Sequence, residues 1–110
     1  MRPAADIAHA RISAEALGCD TGSYLAQLPW ERTAEIHMSG PRRIDGRLVD
    51  RHEPMVEEDL ALLRWVLERA WPQAVTLEFS KDRAQVRDQL LHLRRLLDDV
   101  QTERVAGPVC

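Results

Sequence analysis

Short stretches in which every second residue is apolar alternate along this chain with longer stretches in which apolar residues recur at every third or fourth position. Residues 33–38, TAEIHM, and 74–79, AVTLEF, carry the first pattern. Ala34, Ile36 and Met38 share one face of a strand and Glu35, His37 and Ser39 the other; Val75, Leu77 and Phe79 oppose Thr76 and Glu78. Residues 4–9, AADIAH, read as a further short strand. Residues 57–70, EEDLALLRWVLERA, carry the second pattern, with apolar residues at 60, 63, 67 and 70, Leu62 and Val66 widening the stripe, and an acidic first turn that suits the helix dipole. A last helix from about 82 to 101 places Val86, Leu90, Leu93, Leu97 and Val100 at spacings of three and four, with Ser80 as its expected N-cap. ISAEALG (12–18) and GSYLAQL (22–28) read as short helical pieces broken by Gly18 and Gly22.

The order is strand, helix, strand, long connection, helix, strand, helix. It predicts an α/β fold of parallel strands in βαβ units. The connection, SGPRRIDGRLVDRHEP (39–54), reads as a polar loop with turn signals at Gly40-Pro41 and Asp45-Gly46, and loops of this length in small domains are usually functional or disordered. The 110 residues suffice for one small domain, 1–110. Each strand has an apolar face and an ionisable one. In a (β/α)8 barrel the outward face packs on helices and chemistry gathers at the C-terminal strand ends. The inward set here is Asp6, Glu35, His37 and Glu78.

Three histidines have a carboxylate two or three places before them: Asp6 and His9 in DIAH, Glu35 and His37 in EIH, Asp50 and His52 in DRH. With Glu78 they form a mixed nitrogen and oxygen set that suits iron, manganese or zinc, with carboxylates enough to bridge more than one ion. His92, in LLHLRRLL, reads as a helix-face histidine with no chemical role. Glu57, Glu58, Asp59, Asp98 and Asp99 read as solvated or dipole-matching helix charges, and Trp30, Trp65 and Trp71 as packing residues.

A net charge of −3 offers no electrostatic footprint for nucleic acid. No apolar run approaches the length of about 18 residues that a membrane helix needs, and the N-terminus has no signal-peptide core. A cytoplasmic location is expected, with Cys19 and Cys110 as free thiols outside any CxxC or Cys/His spacing.

DIAHARISAEALG, SYLAQLPWERTAEIHMSG, DGRLVDRHEP and TLEFSKD follow one another from about residue 4 to residue 100. In this order they resemble the C-terminal half of the multinuclear non-haem iron-dependent oxidative enzymes; EIH-x-x-G, D-x-H and a downstream strand Glu are fairly specific together. The resemblance implies a xylose-isomerase-type (β/α)8 barrel holding two or three iron ions at the C-terminal ends of its strands. It implies iron- and dioxygen-dependent modification of cysteine or other residues in ribosomally made precursor peptides, often with a small leader-recognition protein as partner. It implies Asp6, His9, His37, Asp50, His52 and Glu78 as metal ligands, with Glu35 standing behind a metal-bound His, and it assigns no catalytic residue.

A complete barrel takes about 250 residues, so this chain corresponds to about four βα units, the C-terminal half, with open sheet edges. It is expected to be a truncated fragment, which Met1 falling just before DIAH favours, or one part of a split enzyme lacking its N-terminal half, or a half barrel closed by self-association. The function expected is the metal-binding portion of an iron-dependent oxidative enzyme. The alternatives are a non-catalytic fragment or interaction module, and a zinc- or manganese-dependent isomerase or hydrolase of the same barrel superfamily.

Overall fold

A computed structural model describes residues 4–106; Cys110 lies outside the described residues, and Cys19 is exposed and free. The elements run β1 (Ala4–Asp6), α1 (Ile7–Leu17), α2 (Thr21–Ala26), a 3₁₀ turn (Trp30–Arg32), β2 (Glu35–Met38), β3 (Gly40–Ile44), β4 (Arg47–Glu53), α3 (Glu57–Leu67), β5 (Ala74–Leu77) and α4 (Arg83–Ala106). Strands β1, β2 and β5 form a parallel sheet in that spatial order, with His37 in register with Asp6 on one side and Thr76 on the other. Parallel strands that neighbour one another and are connected through helices are compatible with part of a barrel. Among the described residues no helix is long and apolar enough to cross a membrane.

The alternation in EIHM sets the two sides of the sheet. Ile36 and Met38 are buried against the helices, while Glu35 and His37 stay half-buried on the opposite face. The core joins them to Ile7 of α1, Leu25 of α2, Leu63, Val66 and Leu67 of α3, and Leu93 and Val100 of α4. Full burial of Leu63, Val66 and Leu67 contributes about 1.5–3 kcal/mol each. Trp30 is also buried, with its Nε1 donating to the Leu25 carbonyl at 2.6 Å. Leu90, expected in the buried stripe of the last helix, is half exposed.

Several expectations are corrected by local chemistry. The first strand stops at Asp6 because its carboxylate caps α1, accepting from the His9 backbone N–H at 2.9 Å. His9 therefore sits in the first turn of a helix and not at a strand end. Gly18 does end α1, in the left-handed region at φ 72°, but Gly22 lies inside α2, which Asp20 caps. Asp82, not Ser80, caps α4, accepting from the N–H groups of Ala84 and Gln85. Asp59 is not a solvated charge: it is fully buried against Arg11 of α1, while Glu57 and Glu58 are exposed.

The largest correction concerns 39–54. Instead of a loop it forms an antiparallel hairpin, β3–β4, so the described residues hold three βα units, not about four. Its turn is Asp45-Gly46, with φ 51° and 79°, the paired positive values of a type I′ turn. Glu15 ties the hairpin to α1, accepting from Arg43 and, at 3.1 Å, from the Leu48 backbone N–H. Lys81 ties it to the segment after β5 through Glu53 and the Arg51 carbonyl.

The Arg43 hydrogen bond holds the Glu15 carboxyl below its ordinary value of 4.5, assisted by the Leu48 N–H against a partial desolvation. A depressed carboxylate stabilises the fold above its unfolded pKa, and that contribution is lost as pH falls through the lowered folded value. The amide signal of Leu48 in an NMR pH titration should therefore follow Glu15 with a midpoint below 4.5. A midpoint at 4.5 or above would mean that the tether between α1 and the hairpin is absent in solution.

Candidate metal centre

In parallel strands the C-terminal ends lie side by side, and here they bring together Asp6 at the end of β1, His37 in β2 and Glu78 just after β5. The Glu78 N–H continues the ladder, donating to the Met38 carbonyl at 2.7 Å. One ligand atom from each of Asp6, His37 and Glu78 falls within 4.8 Å of the other two. Oε1 of Glu78 is buried and accepts no hydrogen bond among the described residues; it lies 3.6 Å from Nδ1 of His37. A buried, unpartnered carboxylate oxygen is costly. Two carboxylates and an imidazole converging on one point form a donor set for a hard or borderline cation, which would satisfy that oxygen. The residues present fit a metal ion.

His37 is held from behind. Its Nε2 lies 2.9 Å from Oε1 of Glu35, and the same oxygen accepts from Oγ1 of Thr76 at 2.7 Å. Thr76 first, and His37 second, hold the Glu35 carboxyl below its ordinary value.

The other three candidates meet through an irregularity in the hairpin. The register passes from Gly40↔Glu53 to Arg42↔Val49, so Pro41 alone faces Asp50, Arg51 and His52. Proline has no N–H to offer the ladder, and strands bulge at such positions. His52 takes a positive φ of 49° within the bulge, an unfavourable backbone for a residue with a Cβ and one that clusters at functional sites. Gly40 allows the close approach beside it: a Cβ there would lie 2.1 Å from the Pro54 carbonyl oxygen.

The bulge places Asp50 with one oxygen 2.7 Å from Nε2 of His9 and the other 3.3 Å from Nε2 of His52, while Nδ1 of His9 lies 3.8 Å from Oδ2 of Asp6. The Asp50 hydrogen bond raises the His9 pKa above 6.5, against a partial desolvation, with the charges of Asp6, Asp50 and Glu78 adding to the rise.

All seven residues singled out in the sequence thus lie in one chain of side chains. Asp6, His37 and Glu78 come within reach of a single ion. His9, Asp50 and His52 adjoin them but are paired with each other. Thr76 and Lys81 escaped the sequence reading. Thr76 shares the strand face of Glu78, which was the available signal; nothing local marks Lys81. His92 stands apart on α4, near Asp88 one turn away.

The family of RiPP precursor modification enzymes MbnB/TglH/ChrH matches residues 4–103. Among curated relatives, a UPF0276 protein of Chromobacterium violaceum is 36% identical over 67 residues, covering 60% of this chain and 24% of its own length. A UPF0276 protein of Rhizorhabdus wittichii is 30% identical over 100 residues, covering 90% of this chain and 34% of its own length. The chain thus spans between a quarter and about a third of the length of these relatives. The matched residues include every member of the site described above, and the chain belongs to the RiPP precursor modification enzyme family MbnB/TglH/ChrH, the family its sequence resembles.

Proposed function

We propose that this chain is the metal-binding portion of an iron-dependent oxidative enzyme that modifies ribosomally made precursor peptides, and that its sheet is the C-terminal part of a (β/α)8 barrel. The observation that carries the reading is the buried, unpartnered Oε1 of Glu78, set beside His37 and Asp6 at the C-terminal ends of neighbouring parallel strands. Family membership supports a precursor peptide as substrate; a small leader-recognition protein is the partner to look for. Strands outside these 110 residues would close the barrel.

Bound iron would supply Lewis acidity and a redox couple for dioxygen chemistry. Asp6, His37 and Glu78 would hold it. Glu35 orients the His37 ring from behind. His9, Asp50 and His52, brought together at the hairpin bulge, would hold a further ion. Asp6 serves twice: one oxygen caps α1 while the other faces His9, so its carboxylate is fixed before any ion arrives.

Elemental analysis of anaerobically purified protein, together with its mass in solution, tests this. One or more irons per chain, or per closed assembly, is the expected result. Zinc or manganese in place of iron would move the assignment to an isomerase or hydrolase of the barrel superfamily. A folded chain that retains no metal would refute the reading.

A further inference from the structure

We propose that Thr76 is a positioning residue: acting through Glu35, it holds His37 as the tautomer protonated on Nε2 and leaves Nδ1 as the atom that faces Asp6 and Glu78. The proposal deepens the metal reading above and rests on it for the identity of the ligand.

A neutral imidazole carries one N–H, and only its other nitrogen can bind a cation. Which nitrogen that is depends on the hydrogen bond made by the first. His37 presents Nε2 to a Glu35 carboxylate oxygen at 2.9 Å and Nδ1 to the triad, 3.6 Å from Glu78 Oε1. A carboxylate accepts and does not donate, so the proton at the 2.9 Å contact belongs to the ring.

Glu35 alone is a weak clamp. It sits two residues before His37 on the same strand, with 42% of its side chain exposed, and water competes for its oxygens. Thr76 supplies a second hold from another strand. It is the register partner of His37 on β5, and its hydroxyl donates at 2.7 Å to the same Oε1 that takes the imidazole proton. Two donors from different strands fix that oxygen where neither would alone. The bond also spans 41 positions of sequence, so it forms only when β2 and β5 are paired in this register. The ligand atom is in this way tied to the folding of the sheet.

A threonine suits an exposed strand position for its β-branching alone, so the test must separate the hydroxyl from the shape. Thr76→Val keeps the shape and Thr76→Ser keeps the hydroxyl. Long-range ¹⁵N–¹H NMR of the metal-free 110-residue chain reads the His37 tautomer directly, and titration with Co(II) reads affinity. The wild-type chain should show His37 as a single Nε2–H tautomer. Thr76→Val should give a mixture of tautomers and bind Co(II) roughly tenfold more weakly, the low end of what losing an outer partner costs. Thr76→Ser should restore both.

An Nδ1–H tautomer in the wild type, or a Thr76→Val chain unchanged in both measurements, would overturn the proposal. Should Thr76→Val fail to fold, Glu35→Gln carries the same readouts. A wild-type chain with the tautomer fixed but no Co(II) affinity would overturn the metal reading alone, while supporting the Thr76–Glu35–His37 relay.

Discussion

His37→Ala should strip the chain of its metal. Asp6 ends β1 and Glu78 follows β5, the two strands on either side of β2, and His37 is the nitrogen between them. Removing it leaves two carboxylates around an open position, with Oε1 of Glu78 still buried and unpartnered. The loss in Co(II) or Fe(II) affinity should exceed the roughly 10–100-fold that follows from losing an outer-shell partner, because a direct ligand goes. Adding His52→Ala should abolish metal retention altogether. His92→Ala, one turn from Asp88 on α4 and outside the site, is the control and should bind as the wild type does. Elemental analysis after anaerobic purification decides the matter: unchanged metal content in the His37→Ala, His52→Ala double variant would remove these residues from any metal centre.

Arg11→Met should cost about 3–5 kcal/mol of stability, the range for leaving one member of a buried ion pair without its partner. Arg11 lies in α1 with its guanidinium on the fully buried Asp59 of α3, and it also reaches Glu58 at 3.0 Å. Burial raises the Asp59 carboxyl above its ordinary value, against the Val56 N–H and Arg11, which both favour the charged form. With Arg11 gone, Asp59 keeps only the Val56 N–H, at 2.9 Å. Domains of this size are stable by about 5–15 kcal/mol, so the loss is a large share of the total.

The urea midpoint should fall sharply with the slope unchanged. The deficit should shrink as the solution is acidified: a carboxyl whose folded pKa lies above its unfolded one takes up a proton more readily in the folded state, and the fold gains relative stability as pH drops through the raised value. The double variant Arg11→Met, Asp59→Leu should be more stable than Arg11→Met alone, because no unpaired charge is left inside. A loss under about 1 kcal/mol in the single variant would mean that the pair behaves as an exposed salt bridge.

What could be read from local pattern was the set of elements and the sides they turn to the core. EIHM and AVTL alternate, so Ile36 and Met38 had to face inward if either did. Strands separated by helices had to run parallel, and parallel strands end side by side. That reasoning groups Asp6, Glu35, His37 and Glu78 on one face, and the folded sheet selects Asp6, His37 and Glu78 as the three that converge.

Local pattern was silent wherever a residue's partner is distant in sequence. The arginines of the hairpin hide its alternation, so 39–54 looked like a loop although Asp45-Gly46 is a strong hairpin signal. The bulge opposite Pro41 that turns Asp50 toward His9 depends on pairing between β3 and β4. Asp59 is a first-turn charge of α3, as its position says, but its burial is not legible there. Arg11, 48 residues away, is what makes its burial tolerable. The hold of Thr76 on Glu35 likewise exists only in the folded sheet. Periodicity reports which face of an element is apolar, because that depends on neighbours three or four positions away. Charge pairing, tautomer and bulge geometry depend on which elements pack together, and tertiary structure alone decides that.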